Sequence, residues 1–149
     1  MKIFIGSDHR GYKLKEKVKE WLNQWAFEYE DLGNEVYDTE DDYVDFAVKV
    51  GEGVSLGESK GVLMCGSGAG MDLTVNKIRG VRGVLGFNVN QVKESVEKDN
   101  VNVLSISANY VSLRKTKKIL KVFLETEFLR KEKYLRRIKK IEKIERIYD

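Results

Sequence analysis

The only cysteine of the chain, Cys65, ends an apolar run (Val62, Leu63, Met64) and opens the glycine turn GSGAG at residues 66–70. A buried strand that runs through a Gly-rich turn into a helix presents backbone N–H groups to an anion. A thiol at the mouth of that turn sets a possible base beside a site for negative charge. This pairing suits chemistry on a phosphorylated or enolate-forming small molecule. The only histidine, His9, stands after Asp8 at the end of another apolar stretch, KIFIG at residues 2–6. Taken singly, a cysteine at a strand end is usually a small buried hydrophobe, and a lone histidine is usually a surface residue or a helix cap. Both at strand ends, with a glycine turn beside the thiol, favour a functional reading.

Two familiar phosphate motifs do not fit. GSGAG lacks the lysine and hydroxyl residue of a P-loop, and it follows the third strand without the full dinucleotide fingerprint and its acidic residue. Nucleoside triphosphates and nicotinamide cofactors are therefore not favoured. One histidine and one cysteine supply no recognisable ligand cluster, so no metal is expected.

Strand and helix signals alternate along the chain. Strands are expected at residues 2–6, 27–31, 61–65, 81–87 and 102–106. Helices are expected at 11–25, 42–56, 70–79, 89–98, 112–125 and 130–147. In the first helix Leu14, Val18, Trp21, Leu22 and Trp25 recur at helical spacing; in the second Phe46, Ala47, Val50 and Val54 do. Repeated strand–helix units predict a Rossmann-like three-layer α/β/α sandwich on a parallel five-stranded sheet, with its site at the carboxyl ends of the strands. The residues following those strands are Asp8, His9 and Arg10; Cys65, Gly66, Ser67, Gly68 and Gly70; Asn88; and Ser107, Ala108 and Asn109. That rule brings the sole histidine and the sole cysteine to one edge.

The 149 residues suit one domain with a real core. Lysine and arginine number 27 against 24 acidic residues, a net charge of +3 that does not indicate a nucleic-acid protein. The basic excess lies mostly after residue 113. A single cysteine excludes an internal disulfide framework and fits a reducing cytoplasm. Strand-like KIFIGS begins almost at once, leaving no signal-peptide pattern, and no apolar run approaches the ~20 residues of a membrane span. In the tail Ile138, Ile141 and Ile144 recur every three residues among charges. That is an amphipathic helix with a solvated face, without the interleaved aromatics of a nucleic-acid surface; a membrane-surface role is the weaker alternative.

The motifs SDHRGYKLK (7–15), DYVDFA (42–47), CGSGAGMDLTVNKIRGVRG (65–83) and NVNVLSISA (100–108) resemble those of ribose-5-phosphate isomerase B and the related galactose-6-phosphate isomerase subunits. The resemblance is colinear from Met1 to about Ile144. It implies a cofactor-free, cytoplasmic aldose–ketose isomerase acting through a cis-enediolate. It also implies a homodimer, with a tetramer as alternative, whose active sites lie at the interface and receive the C-terminal helical extension, about 128–149. By resemblance Cys65 is the base, its thiol pKa lowered by the following helix, and Ser67 relays the proton. Gly66, Gly68 and Gly70 cradle the enediolate, Asp8 and His9 bind sugar hydroxyls, and Tyr43 and Asn76 line the pocket. Arg137 reaches across the dimer to the phosphate.

The chain departs from the family pattern at three places. Lys98 and Asp99 stand where the family has His-Asn, the histidine assisting furanose opening. Lys98, as a catalytic candidate, can donate a proton but accepts one only with a depressed pKa; otherwise ring opening falls to His9 or Asp99, or the substrate arrives open. Asn109 and Lys133 replace arginines, and lysine lacks the bidentate fork. Three readings follow: a ribose-5-phosphate isomerase, an isomerase of another pentose or hexose phosphate, and a non-catalytic sugar-phosphate-binding subunit.

Overall fold

The computed structural model describes residues 1–148. Its strands are β1 (Lys2–Ser7), β2 (Tyr29–Asp31), β3 (Ser59–Cys65), β4 (Gly83–Gly86) and β5 (Val103–Ser107). Its helices are α1 (Tyr12–Gln24), α2 (Tyr43–Ser55), α3 (Ala69–Val75), α4 (Val89–Asp99), α5 (Leu113–Glu125) and α6 (Glu132–Ile147). The sheet order is β2-β1-β3-β5-β4, and every neighbouring pair is parallel. Alternation along β3 sorts its side chains between two apolar layers. Val62 and Met64 pack with Leu14, Val18, Val92 and Ile119 of α1, α4 and α5. Leu63 and Cys65 pack with Ala47, Val50, Met71 and Val75 of α2 and α3. The expected α/β/α sandwich on a five-stranded parallel sheet is thus observed, and the cysteine belongs to the α2–α3 face.

Several boundaries move for identifiable reasons. β2 begins at Tyr29 rather than 27, because Ala26 takes a positive φ of 59° and the Phe27 N–H closes onto the Leu22 carbonyl. The first helix is preceded by a 3₁₀ turn, His9–Gly11, in which the Asp8 side chain accepts from the Gly11 N–H at 3.0 Å. The third helix stops at Val75, and β4 starts at Gly83 because the Arg82 N–H is taken by the Asn102 side chain at 2.7 Å. The C-terminal helix docks first on its own chain. Tyr134 and Ile138 are buried, α6 packs against α4, and the Leu129 N–H donates to the Glu97 carbonyl at 2.9 Å. Ile138 is therefore not free for a partner, whereas Ile144 and Ile147 are more than half exposed.

A buried ion pair ties α1 to the end of β2. Lys15 is fully buried; its ammonium donates to Asp31 Oδ1 at 2.9 Å and to the Asn34 carbonyl. Burial alone would raise the Asp31 carboxyl, but hydrogen bonds from Lys15, the Gly33 N–H and Lys19 hold it below its ordinary value. Removing one partner strands the other charge, so Asp31→Ala is expected to destabilise the fold by about 3 kcal/mol in urea unfolding at neutral pH. A carboxyl with a depressed folded-state pKa contributes its stability above the unfolded value and loses it as pH falls through the folded one. The difference between wild type and variant should accordingly narrow below about pH 4.

Candidate active site

β1 and β3 are adjacent, yet the chain leaves β1 toward β2 on one side and β3 toward β5 on the other. Such a switch point opens a crevice beyond the carboxyl ends of the strands. Here Ser7 is in register with Met64 and Cys65 with Ser107, so the residues after β1, β3 and β5 emerge side by side. They form a cleft of about 300 Å³ lined by Asp8, His9, Arg10, Asp41, Tyr43, Cys65, Gly66, Ser67 and Gly70.

Close packing and backbone bonds hold the glycine loop in shape. Gly68 has φ +80°, and a Cβ there would lie 2.5 Å from Leu85 Cδ1, so both conformation and space call for glycine. A side chain at Gly70 would run into the Tyr43 ring at 2.7 Å. The loop is tied to the end of β5: the Ser107 hydroxyl donates to the Gly66 carbonyl at 2.7 Å, and the Ala108 and Asn109 N–H groups donate to the Cys65 and Gly66 carbonyls. Ser67 is exposed at the tip, its hydroxyl accepting from the Ala69 N–H at 3.2 Å.

Cys65 is almost wholly buried, and its Sγ accepts from the Gly68 N–H at 3.2 Å. Burial pushes its thiol above the ordinary range and nearby Asp8 adds to the rise, while backbone N–H groups of Met71, Gly68 and Gly70 pull it down. The net direction is upward, which corrects the expectation of a lowered pKa. The seven-residue α3 supplies donors to the sulfur, but these do not offset desolvation. Asp8 is raised as well, chiefly by burial, against the lowering effects of the Gly11 N–H and His9.

His9 is held from behind. Its Nδ1 lies 2.7 Å from Asp41 Oδ1, which also accepts from the His9 backbone N–H at 3.1 Å. Asp41 Oδ2 accepts from Asn34 Nδ2 at 2.9 Å. Burial would raise the Asp41 carboxyl; its bonds from His9 and Asn34 bring it below the ordinary value. A carboxylate at Nδ1 favours the Nδ1–H form and leaves Nε2 for the cleft. Asp8, His9 and Asp41 each bring a ligand atom within 4.8 Å of the others, but Nδ1 and Asp41 already satisfy one another.

Seven of the residues expected from the sequence line this cleft: Asp8, His9, Tyr43, Cys65, Gly66, Ser67 and Gly70, with Gly68 buried beneath. Others lie elsewhere in the chain. Asn76 is a structural clip: its side chain accepts from the Gly83 N–H at 2.8 Å and donates to the Asp72 and Gly83 carbonyls. Its amide is used up joining α3 to β4, so it does not line the pocket. Lys98 sits in the last turn of α4, at the opposite edge of the sheet, 2.6 Å from Glu94. Glu94 holds its ammonium above the ordinary lysine value, the opposite of what accepting a proton requires. Asp99 is exposed beside it, and Lys133 and Arg137 are exposed on α6, Lys133 lying over the Tyr134 ring. Arg10, placed at this edge by its position after the first strand but given no role by the motifs, lines the cleft too, as does Asp41, which nothing local separates from the acidic run at residues 38–42.

The elevation of the Cys65 thiol by the Asp8 carboxylate is testable on the single thiol. Asp8→Asn keeps an oxygen for the Gly11 N–H and removes the negative charge. The pH midpoint for alkylation of Cys65 by iodoacetamide should move to lower pH, read by intact mass. An unchanged or higher midpoint would refute the coupling.

Residues 3–141 match the family model described as Ribose/Galactose Isomerase. The chain is 37% identical over 146 residues to a probable ribose-5-phosphate isomerase B of Mycoplasma genitalium, covering 97% of this chain and 95% of the other. It is 34% identical over 129 residues to a putative sugar phosphate isomerase of Bacillus subtilis, covering 86% and 87% of the two. Among solved structures, ribose-5-phosphate isomerase B of Clostridium thermocellum superposes with a TM-score of 0.95 at 35% identity over the full length of both chains. The Mycoplasma genitalium enzyme with bound ribulose-5-phosphate gives 0.93 at 36% identity, covering 97% and 96% of the two.

Proposed function

The chain belongs to the ribose/galactose isomerase family, and from that premise we propose that it interconverts ribose 5-phosphate and ribulose 5-phosphate through a cis-enediolate. The observation that carries this reading is a buried thiol on a glycine loop, opening into the same cleft as Asp8 and His9. An aldose and its ketose differ by the position of one proton on carbon and one on oxygen. Moving them needs a base, donors for the enediolate oxygens and a carrier between those oxygens; it needs no oxidant, and hence no redox cofactor.

Cys65 serves as the base in its thiolate form. It removes the proton at C2 of the open-chain aldose as the electron pair moves through C1 onto O1, then returns the proton to C1. The N–H groups of Gly68, Gly70 and Met71 favour the sulfur anion once it forms. Those at the start of the loop, Gly66 and Ser67, serve the enediolate, an arrangement in which one donor is worth about 3 kcal/mol. The exposed Ser67 hydroxyl carries the proton between O1 and O2. Asp8 binds the sugar hydroxyls. Nε2 of His9, set by Asp41, opens the ring, since Lys98 is held charged and lies outside the cleft of its own chain. Because the thiol is raised, its base form is populated only toward alkaline pH, and kcat/KM should climb there with the thiol's ionisation.

A homodimer with sites at the interface completes the reading, a tetramer being the alternative. Its support is the apolar surface left on α6 by Ile141, Ile144, Ile147 and Tyr148, all exposed. In that assembly a second copy brings Lys98, Asp99, Lys133 and Arg137 toward the cleft. Among the described residues no helix is long and apolar enough to cross a membrane, in keeping with a cytoplasmic enzyme.

The second reading keeps the chemistry and changes the sugar, because the family description spans ribose and galactose. A coupled assay over pentose and hexose phosphates decides between them through kcat/KM. Cys65→Ala should lower turnover by about 1,000-fold with the far-UV circular dichroism preserved. Undiminished turnover in that variant, or binding of sugar phosphate without turnover by the wild type, would sink the isomerase proposal.

A further inference from the structure

The proposed substrate carries a phosphate dianion, and an anion of that charge is held by cations and N–H donors. Among the described residues lining the cleft, the one permanent cation is Arg10. It rises from the 3₁₀ turn at residues 9–11, whose seat is rigid. Asp8 accepts from the Gly11 N–H at 3.0 Å, and a Cβ on Gly11 would fall 2.3 Å from the Met64 carbonyl oxygen. The turn therefore lies flat on the end of β3.

From that seat the Arg10 side chain crosses the glycine loop. A Cβ built on Gly66 would come within 2.8 Å of Arg10 Cδ, 3.0 Å of Asn109 Nδ2 and 3.4 Å of Arg10 Nη1. The missing side chain at Gly66 is thus what lets a guanidinium and a carboxamide converge above the loop. Asn109 is fixed there by its own N–H, which donates to the Gly66 carbonyl at 3.0 Å. No carboxylate among the described residues pairs with Arg10, although Asp8, Asp41 and several exposed acids are near its end of the sheet. A charged fork left without an anion, beside an amide donor at the rim of a cleft for a phosphorylated sugar, has a ready partner in the phosphate.

We infer that Arg10, with the Asn109 amide beside it, holds the phosphate group of the substrate at the Gly66 side of the cleft. The assignment rests on the proposed isomerase reading and goes beyond it by giving a role to Arg10, to which the family motifs assign none, in addition to any cation a second copy supplies. It also orients the sugar: the phosphate end lies at the rim on the Arg10 and Asn109 side of the loop, and the reacting carbons lie on the Cys65 and Ser67 side.

The test uses the full chain and two readouts. In the first, KM and kcat for ribose 5-phosphate are measured for wild type, Arg10→Gln and Arg10→Lys. In the second, inorganic phosphate is titrated for its protection of Cys65 against iodoacetamide, which needs no turnover. Arg10→Gln should raise KM and the half-protecting phosphate concentration together by about 10- to 100-fold, the span of a charge-assisted hydrogen bond. Arg10→Lys should recover part of both, since it keeps the charge without the fork. The urea midpoint should not move, because the side chain is exposed. Unchanged KM and unchanged protection overturn the inference, as does a fall in kcat with protection intact. A wild type that fails to turn over ribose 5-phosphate, yet loses phosphate protection in Arg10→Gln, supports this inference and counts against the isomerase reading instead.

Discussion

The seating of the turn after β1 on the end of β3 is the constraint on which the cleft depends. Gly11 lies so close to Met64 that no side chain is admissible there, and the parallel register holds Ser7 opposite Met64. Asp8, His9 and Arg10 are thereby delivered to the thiol by backbone packing alone. The same economy applies on the other flank. Cys65 is in register with Ser107, and the bonds from Ser107, Ala108 and Asn109 clamp the first two residues of the glycine loop. Three strand ends converge because parallel strands all finish on one edge, and a crevice exists because the chain departs from β1 and β3 in opposite directions.

Within that frame the buried and half-buried acids fall into two groups. Asp31 and Asp41 are partly buried but surrounded by donors, and they remain anions well into the acid range. Asp8 and Cys65 are buried, their backbone N–H donors do not offset the desolvation, and the Asp8 charge adds to the rise of the thiol. The first pair builds structure: Asp31 neutralises the buried Lys15 and Asp41 orients His9. The second pair is held toward the protonated form, which is where proton-transfer groups are found. A thiol that resists ionisation is a stronger base once ionised, and the loop N–H groups around its sulfur limit how far that resistance goes.

Much of the fold was legible in the sequence because its signals are local. Alternation of apolar strands and amphipathic helices predicted the layered parallel sheet, and five strands and six helices fall close to their expected places. The misplaced boundaries share one cause. At Ala26 a positive φ, at Asn76 a clip to Gly83, and at Arg82 a bond to Asn102 end or delay an element through contacts that periodicity does not encode. The cleft residues Asp8, His9, Cys65, Ser67 and the loop glycines were also legible, since strand-end position and the family motifs both mark them, and Tyr43 was marked by the family motif alone. Asp41 was not, and Arg10 was marked by its strand-end position without a role. Their importance comes from partners 32 and 56 positions away in the case of Asp41 with His9 and Arg10 with Gly66, distances over which a single sequence carries no pairing signal.

By itself, then, the sequence determined the layer architecture, the edge at which chemistry belongs and the pairing of a lone thiol with a glycine turn, because these follow from hydrophobic period and backbone geometry. Tertiary structure alone decided the protonation balance of Cys65, since burial and donor count are properties of the packed state. It also decided that Asn76 braces a strand, that Lys98 is committed to Glu94, and that Ile138 is used within its own chain. Each of these depends on which side chain reaches a group first, and that is set by three-dimensional proximity rather than by residue type or spacing.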